Sequence, residues 1–314
     1  MITGLVIVDP LSNSSFDISQ YTTKLSVSLS ITATAQLTAT VSDPGLVMLS
    51  KNVFSLRRLL AYKNVWYEVA AAEVRQGSAS EELTIEFRSL GIQSLKRDKG
   101  QASFPGMSST TFASIKAKEF GMAFFGESTP PKNTIVRVSN DKTDESTWDV
   151  LKRLASDNQF YLFETDQRLF FTSLQYLAGK FAVRSSTTSG FLATSIYWNQ
   201  DPPTPASGAG ALGCRCLTCP TMRRSDDDPD ASGVDFQLER SNGLLFRPGM
   251  TVFVEGVPTF NDVYVISEVR WNEGETSSVS LSGIAPAPST VDKAERVVDI
   301  TGGGFSVLQV PSTL

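Results

Sequence analysis

The tightest grouping of chemically capable residues is Cys214-Arg215-Cys216-Leu217-Thr218-Cys219, which contains all three cysteines of the 314-residue chain. Thiolates at this spacing suit soft metals and iron–sulfur clusters, and such sites take four protein ligands. No fourth cysteine and no histidine exists to complete the set. Three readings remain for Cys214, Cys216 and Cys219: reduced thiols in a surface loop, a disulfide within the loop or to another chain, or part of a metal site. The first is adopted, so no metal and no cofactor is assigned. Just upstream, Gly208-Ala209-Gly210-Ala211-Leu212-Gly213 spells GxGxxG. That fingerprint has force only between a strand and the helix whose N-terminus receives a pyrophosphate. Here Pro202-Pro203-Thr204-Pro205 precedes it and no helical pattern follows, so it reads as loop. Asp226-Asp227-Asp228-Pro229-Asp230 gathers carboxylates as a hard cation would require, but without the spacing, glycine and distal glutamate of a calcium loop. It reads as a solvated acidic turn.

The absence of histidine removes Ser-His-Asp triads, Cys-His pairs and His-bearing zinc sites together. Glycoside hydrolysis needs two carboxylates at a set separation, and nothing singles out a pair among 33 acids. Trp148 with Phe160, Tyr161, Phe163, Phe170 and Phe171 could form a sugar platform, but at helix and strand spacing these residues read as core. No catalytic residue is named, and the expectation is a protein without enzymatic activity.

Net charge is −5 and the basic residues are scattered, against a nucleic-acid track or an anionic-membrane binder. Charged residues are 19% of the chain, while Ser and Thr make up roughly a fifth. Uncharged polar sequence of this kind suits sheets that face other subunits. The longest uncharged run, Leu25 to Ser42, has a polar residue at every second position and is no membrane span. The N-terminus lacks a basic region before its apolar stretch and is not read as a signal peptide.

The elements that must position these residues fall into four stretches. Residues 1–97 read as a first β domain. Leu25, Val27, Leu29, Ile31, Ala33, Ala35, Leu37, Ala39 and Val41 hold period two, too long for one strand, so a bend is expected near Thr32 to Gln36. Val65–Val74 and Leu83–Arg88 read as an antiparallel pair. Residues 98–172 read as an α/β insert. A short helix over Ser108–Phe120 is expected to bury Phe112, Ile115 and Phe120. A second helix over Ser146–Asn158 is capped by Ser146 with Asp149, and a hairpin follows over 160–172. Residues 173–285 return to strands, at Phe191–Trp198, Met250–Glu255, Val263–Trp271 and Ser278–Ile284. A long loop, 201–233, interrupts them and carries the cysteines outside every legible strand or helix. Residues 286–314 form a C-terminal extension ending in the apolar residues Phe305, Val307, Leu308 and Val310.

Glu145-Ser-Thr-Trp148-Asp149-Val-Leu-Lys-Arg-Leu-Ala155-Ser-Asp-Asn158-Gln-Phe-Tyr-Leu-Phe163 resembles a stretch of the tail hub proteins of contractile-tail phages. That family includes late-control D proteins and the hub part of type VI secretion spikes. Leu245-Phe-Arg-Pro248-Gly249-Met-Thr-Val-Phe-Val-Glu-Gly256, then Val263-Tyr264-Val265-Ile266, resembles a later strand pair of the family, and Thr111–Gly121 resembles its first insert helix. The resemblance implies a β-rich α+β fold, with two β-barrel domains and small α/β inserts between them. It further implies a homotrimer whose pseudo-sixfold ring adapts a sixfold tail tube to a threefold spike, with baseplate wedge and tape-measure proteins as further partners. Such a chain is assembled in the host cytoplasm and resides in the virion, at the tail baseplate, with no nucleic-acid sequence recognition and no membrane anchor. The 201–233 loop departs from the family pattern. The alternative reading is a tail-associated cell-wall hydrolase or carbohydrate-binding module.

Overall fold

The computed structural model describes residues 2, 4–63, 65–76, 81–140, 143–180, 182–184, 195–197, 213–215, 217, 221–223, 233–244, 246–255, 262–274, 279–284 and 297–299. The chain is strand-rich and divides into two compact units, Met1–Phe171 with Asn272–Glu275, and Thr172–Trp271 with Thr276–Leu314.

The first unit begins with β1 (Val6–Val8), β2 (Ser15–Asp17), β3 (Thr22–Ser30), β4 (Gln36–Ser42), β5 (Leu59–Tyr62), β6 (Val65–Gln76) and β7 (Glu81–Ser89). They lie side by side in the order β3-β4-β7-β6-β5-β1-β2, antiparallel throughout. The period-two run breaks where a single strand would be too long. Residues 31–35 turn the chain, and Ala33 is the one odd position left exposed. The return register sets Leu25 opposite Ala39 and Val27 opposite Leu37. Rows of apolar side chains then cross four strands, one of them Val27, Leu37, Phe87 and Val69. All four are buried. Each such side chain contributes about 1.5–3 kcal/mol by leaving water. A bulge between Val69 and Ala71 bends β6. After β4, the buried Asp43 carboxylate accepts from the backbone N–H groups of Met48 and Leu49, both at 2.9 Å, and so fixes the start of the short α1 (Val47–Ser50).

The insert of the first unit follows without a break. It comprises α2 (Leu90–Arg97), β8 (Ala102–Pro105), α3 (Ser109–Glu119), β9 (Ala123–Gly126), β10 (Thr134–Arg137), β11 (Ser139–Asn140), β12 (Thr143–Asp144), α4 (Thr147–Asp157), β13 (Tyr161–Thr165) and β14 (Arg168–Thr172). Strands β13, β14 and β9 form one small sheet, with β9 parallel to β14; β8 pairs with β10, and β11 with β12. Helices α2, α3 and α4 share a core of Ile92, Leu95, Phe112, Ala113, Ala117, Trp148, Leu151 and Leu154, closed by Leu169 and Phe171 of β14.

Helix α4 starts as its sequence predicts. Ser146 Oγ accepts from the Asp149 N–H (3.2 Å), and the Asp149 carboxylate accepts from the Ser146 N–H (3.1 Å), a complete capping box. Helix α3 starts under Ser108, whose hydroxyl accepts from Thr111 N–H, and ends at Gly121 with φ +72°. Its buried face differs from the expected one: Ile115 is exposed, and Phe112, Ala113, Lys116 and Ala117 face inward. Of the expected stripe, Phe112 is buried and Phe120 packs against the core, and only Ile115 turns outward.

The second unit contains α5 (Leu174–Lys180), β15 (Ala182–Arg184), β16 (Ser195–Tyr197), β17 (Gly213–Arg215), β18 (Thr221–Arg223), β19 (Gly233–Leu238), α6 (Arg240–Gly243), β20 (Thr251–Glu255), β21 (Asp262–Glu273), β22 (Val279–Ile284) and β23 (Val297–Asp299). β19 pairs with β22, β22 with β21 and β21 with β20, all antiparallel. β20 pairs in parallel with β15 and β16. Val234, Phe236 and Leu238 alternate into the core with Val252, Val265 and Val269. Gly233 is required by close approach, since a Cβ there would stand 2.1 Å from the carbonyl oxygen of Gly283. Two strands, β17 and β18, fall inside the stretch read from sequence as the 201–233 loop, and β19 starts at its end.

Candidate functional site

The cysteine cluster lies largely outside the described residues. Cys214 is in strand β17, which corrects its expected position in a loop, while Cys216 and Cys219 fall outside the description, as do the GxGxxG run up to Leu212 and the acidic run 226–230. The apolar pattern Phe305–Val310 is outside it too. Among the described residues, no group of three or more cysteines or carboxylates is placed to hold a metal ion. No helix among them is long and apolar enough to cross a membrane.

Two arrangements in the first unit carry polar chemistry, and both are in the insert. The first centres on Asp98, just after α2. Its Oδ2 accepts from the Thr147 hydroxyl at 2.7 Å, and Arg137 Nη1 stands 2.8 Å away. Lys116 Nζ lies at 3.5 Å from the same oxygen and at 2.8 Å from Glu119. Arg137 also donates to the backbone carbonyls of Gly100 (2.6 Å), Asp98 (3.1 Å) and Lys99 (3.1 Å), and to Thr147 Oγ1 (2.6 Å). Burial works to raise the Asp98 carboxyl. The hydrogen bonds from Thr147 and Arg137, with the charges of Arg137 and Lys116, outweigh it and hold the group below the ordinary carboxylate value. Four segments distant in sequence, ending α2, inside α3, ending β10 and opening α4, are thereby locked together. Every charge is answered, so the cluster is built to hold rather than to react.

The second arrangement is Glu164, on β13, 1% exposed. Its Oε1 accepts from the Gln167 N–H at 2.7 Å, across the turn in which Asp166 and Gln167 both have positive φ. Oε2 has no partner. Burial pushes the group up to about 7, against the lowering by Ser89 and the Gln167 N–H. A single enclosed acid without a second carboxyl across a substrate-sized gap is no glycosidase pair.

Trp148, 6% exposed, belongs to the insert core and meets no solvent-facing platform. The aromatic group that reads as core with it divides between the two faces of the hairpin. Phe160 does pack on that core, but the β14 residue on the helix side is Phe171, 5.2 Å centroid to centroid from Phe160. Alternation sends Phe170 to the opposite face, where it stacks on Phe163 at 4.6 Å and packs beside Phe125. An uninterrupted Leu-Phe-Phe run gives no signal of which aromatic faces which way.

The outward face of the first sheet has two textures. Across β3, β4 and β7 the outward positions mix the uncharged Ser26, Ser28, Thr38, Thr40 and Thr84 with the charged Lys24, Glu82, Glu86 and Arg88. Across β1, β5 and β6 they are mostly apolar. Register places Val6, Ala61 and Trp66 in one row, and Val8 and Leu59 in the next, which ends on β6 at Glu68, itself paired with Arg97. Trp66 remains 42% exposed. The rows end at Asp17 and Ser15 on β2, the edge strand among the described residues. Sequence reading missed this strip, because each strand contributes only one or two of its members.

No protein-family model and no curated protein matches the chain. Solved structures do. The chain is similar over 90% of its length to 97% of a 43 kDa tail protein of prophage MuSo2 from Shewanella oneidensis, with a TM-score of 0.54 at 13% identity. It is similar, again over 90%, to 96% of a tail protein from Neisseria meningitidis MC58, with a TM-score of 0.55 at 10% identity. Over 85% of its length it matches 74% of an E. coli type VI secretion component that is itself similar to the phage T4 tail proteins gp27 and gp5, with a TM-score of 0.53 at 12% identity. The chain therefore has the fold of these tail proteins.

Proposed function

We propose that this chain is a structural hub of a phage-tail baseplate, a homotrimer of two β-barrel domains per chain that adapts a sixfold tail tube to a threefold spike. The observation that carries the reading is the shared fold along nearly the whole of this chain and nearly the whole of two solved tail proteins. A hub needs rigid scaffolding and broad contact surfaces rather than a reactive centre. The fully paired Asp98 cluster supplies the first, and the outward face of the first sheet, with its apolar strip around Trp66, supplies the second. The strip around Trp66 is the surface we assign to contact with a second copy, since exposed contiguous apolar rows mark association surfaces. Spike and tube proteins are the partners proposed, with wedge and tape-measure proteins beyond them, and the tail baseplate of the virion is the proposed location. A non-enzymatic role accords with a chain that has no histidine.

Electron microscopy of the chain mixed with its tail-tube protein tests this. Tubes closed at one end by a ring support the reading, and tubes that stay open at both ends overturn it. Digestion of purified peptidoglycan by the chain alone, abolished by replacing a single acidic residue, would instead establish the hydrolase alternative.

A further inference from the structure

Leu11 and Leu56 are the most exposed large apolar side chains among the described residues, at 96% and 67%, and no other exceeds half. A single leucine in water is ordinary. These two sit on loops joined to one another, and each loop is closed by its own hydrogen bonds. Between β1 and β2, the Asp9 carboxylate accepts from the Leu11 N–H at 2.9 Å and from the Ser12 hydroxyl at 2.7 Å. The Asp9 N–H donates to the Ser14 carbonyl at 2.8 Å, so both ends of the loop are tied. Before β5, the Arg58 N–H donates to the Ser55 carbonyl at 3.2 Å. This closes a four-residue turn with Leu56 in its second position and Arg57, at φ +73°, in its third. The Arg58 carbonyl accepts from the Val69 N–H at 2.9 Å, which fixes the turn to β6.

Arg58 Nη1 stands 2.6 Å from Asp9 Oδ2 and joins the two loops. That pair lies one residue beyond Val8 and Leu59, which face each other in register in the last row of the apolar strip. The leucines thus extend the strip past the ends of β1 and β5 rather than standing alone, and contiguous exposed apolar surface marks an association site. Their loops are set before any contact forms, so little conformational freedom is lost on docking. Asp9 and Arg58 answer each other, which leaves Arg57, exposed on the turn, as the charge that the turn presents. A second copy, at net charge −5, offers it carboxylates.

We propose that Leu11 and Leu56 form a preformed apolar knob that seats against a second copy of this chain and anchors the contact of which the Trp66 strip is the flat part; this rests on the assignment of that strip to a second copy. In a closed ring of like chains the two surfaces that meet are different. The knob therefore faces another part of its neighbour, not the neighbour's own knob. Burying a leucine that was free in water is worth about tenfold or more in affinity.

The test is the concentration at which the full chain assembles, followed by sedimentation, alone and with tail-tube protein. Leu11→Ser and Leu56→Ser should each raise it about tenfold or more, and the two together further, with the thermal midpoint of the monomer unchanged. Asp9→Ala keeps both leucines but frees the loop. It should strip the Leu11 N–H of its protection in hydrogen exchange and weaken assembly by a smaller factor. A double variant, Leu11→Ser with Leu56→Ser, that assembles at the wild-type concentration would overturn the knob; with Trp66→Ser impaired in the same assay, the strip and the hub would still stand. Loss of assembly matched by a lowered midpoint in the double variant would overturn the knob as well. A wild-type chain that assembles in neither condition would overturn the knob and the hub together.

Discussion

Phe87 and Asp98 stand eleven positions apart in the first unit, and the regions they belong to are held together in different ways. The sheet around Phe87 is ordered by repetition. Each strand offers one apolar residue in two, the register aligns them in rows, and no row depends on a single partner. The insert around Asp98 is ordered by a few specific ties: one capping box, one four-residue ionic cluster, one buried acid. Apolar burial is non-directional and spread over many atoms, so the sheet should yield gradually to substitution. Ionic ties are directional, and removing one partner leaves the other with fewer donors at a site only partly open to water.

The sharpest test of this contrast is within the insert. Trp148→Ala removes the largest side chain of its core and should destabilise the first unit by about 3–5 kcal/mol, read as a lowered thermal midpoint. An unchanged midpoint would show that Trp148 is not core and would revive the carbohydrate-binding alternative. Arg137→Met keeps much of the side chain's volume but takes from Asp98 its nearest cation and from three backbone carbonyls their donor. The expected loss is also about 3–5 kcal/mol. In the double substitution with Asp98→Asn, part of that loss should return. A loss below about 1 kcal/mol would place the insert with the sheet, as a region held by packing alone.

Ser146→Ala, by contrast, removes one cap and should cost about 1 kcal/mol, measured by chemical denaturation; a cost near zero would mean that the Asp149 half of the box suffices. The smallest effect on folding is expected at the sheet's outward strip. Trp66→Ser should change monomer stability by no more than about 0.5 kcal/mol, yet weaken self-association. A large fall in stability with association intact would show that Trp66 supports the sheet rather than a neighbour.

The same contrast explains how much the sequence disclosed. Strands β3, β4, β6 and β7 were legible because alternation over seven or more residues is a strong signal, and helix α4 was legible because Ser146, Asp149 and the Trp148–Leu151–Ala155 spacing agree. Helix α2 was not, since its eight residues bury only Ile92 and Leu95. The β8 and β10 strands are four residues each with a mixed pattern. The Asp98 cluster was invisible for another reason: residues 98, 116, 137 and 147 meet only after folding, and nothing local marks them as partners. Lys116 illustrates this directly, because a lysine reads as solvent-facing until its acidic partners, Asp98 and Glu119, are known. Ile115, expected inward, is exposed, while Lys116 is buried among its ion pairs.

The role proposed for the chain rests on its assembly, so the decisive measurement is the native mass of the full chain at micromolar concentration, taken alone and with tail-tube protein. The expected result is a trimer in at least one of the two conditions, with Trp66→Ser shifted toward monomer. A chain that remains monomeric in both conditions would contradict the hub.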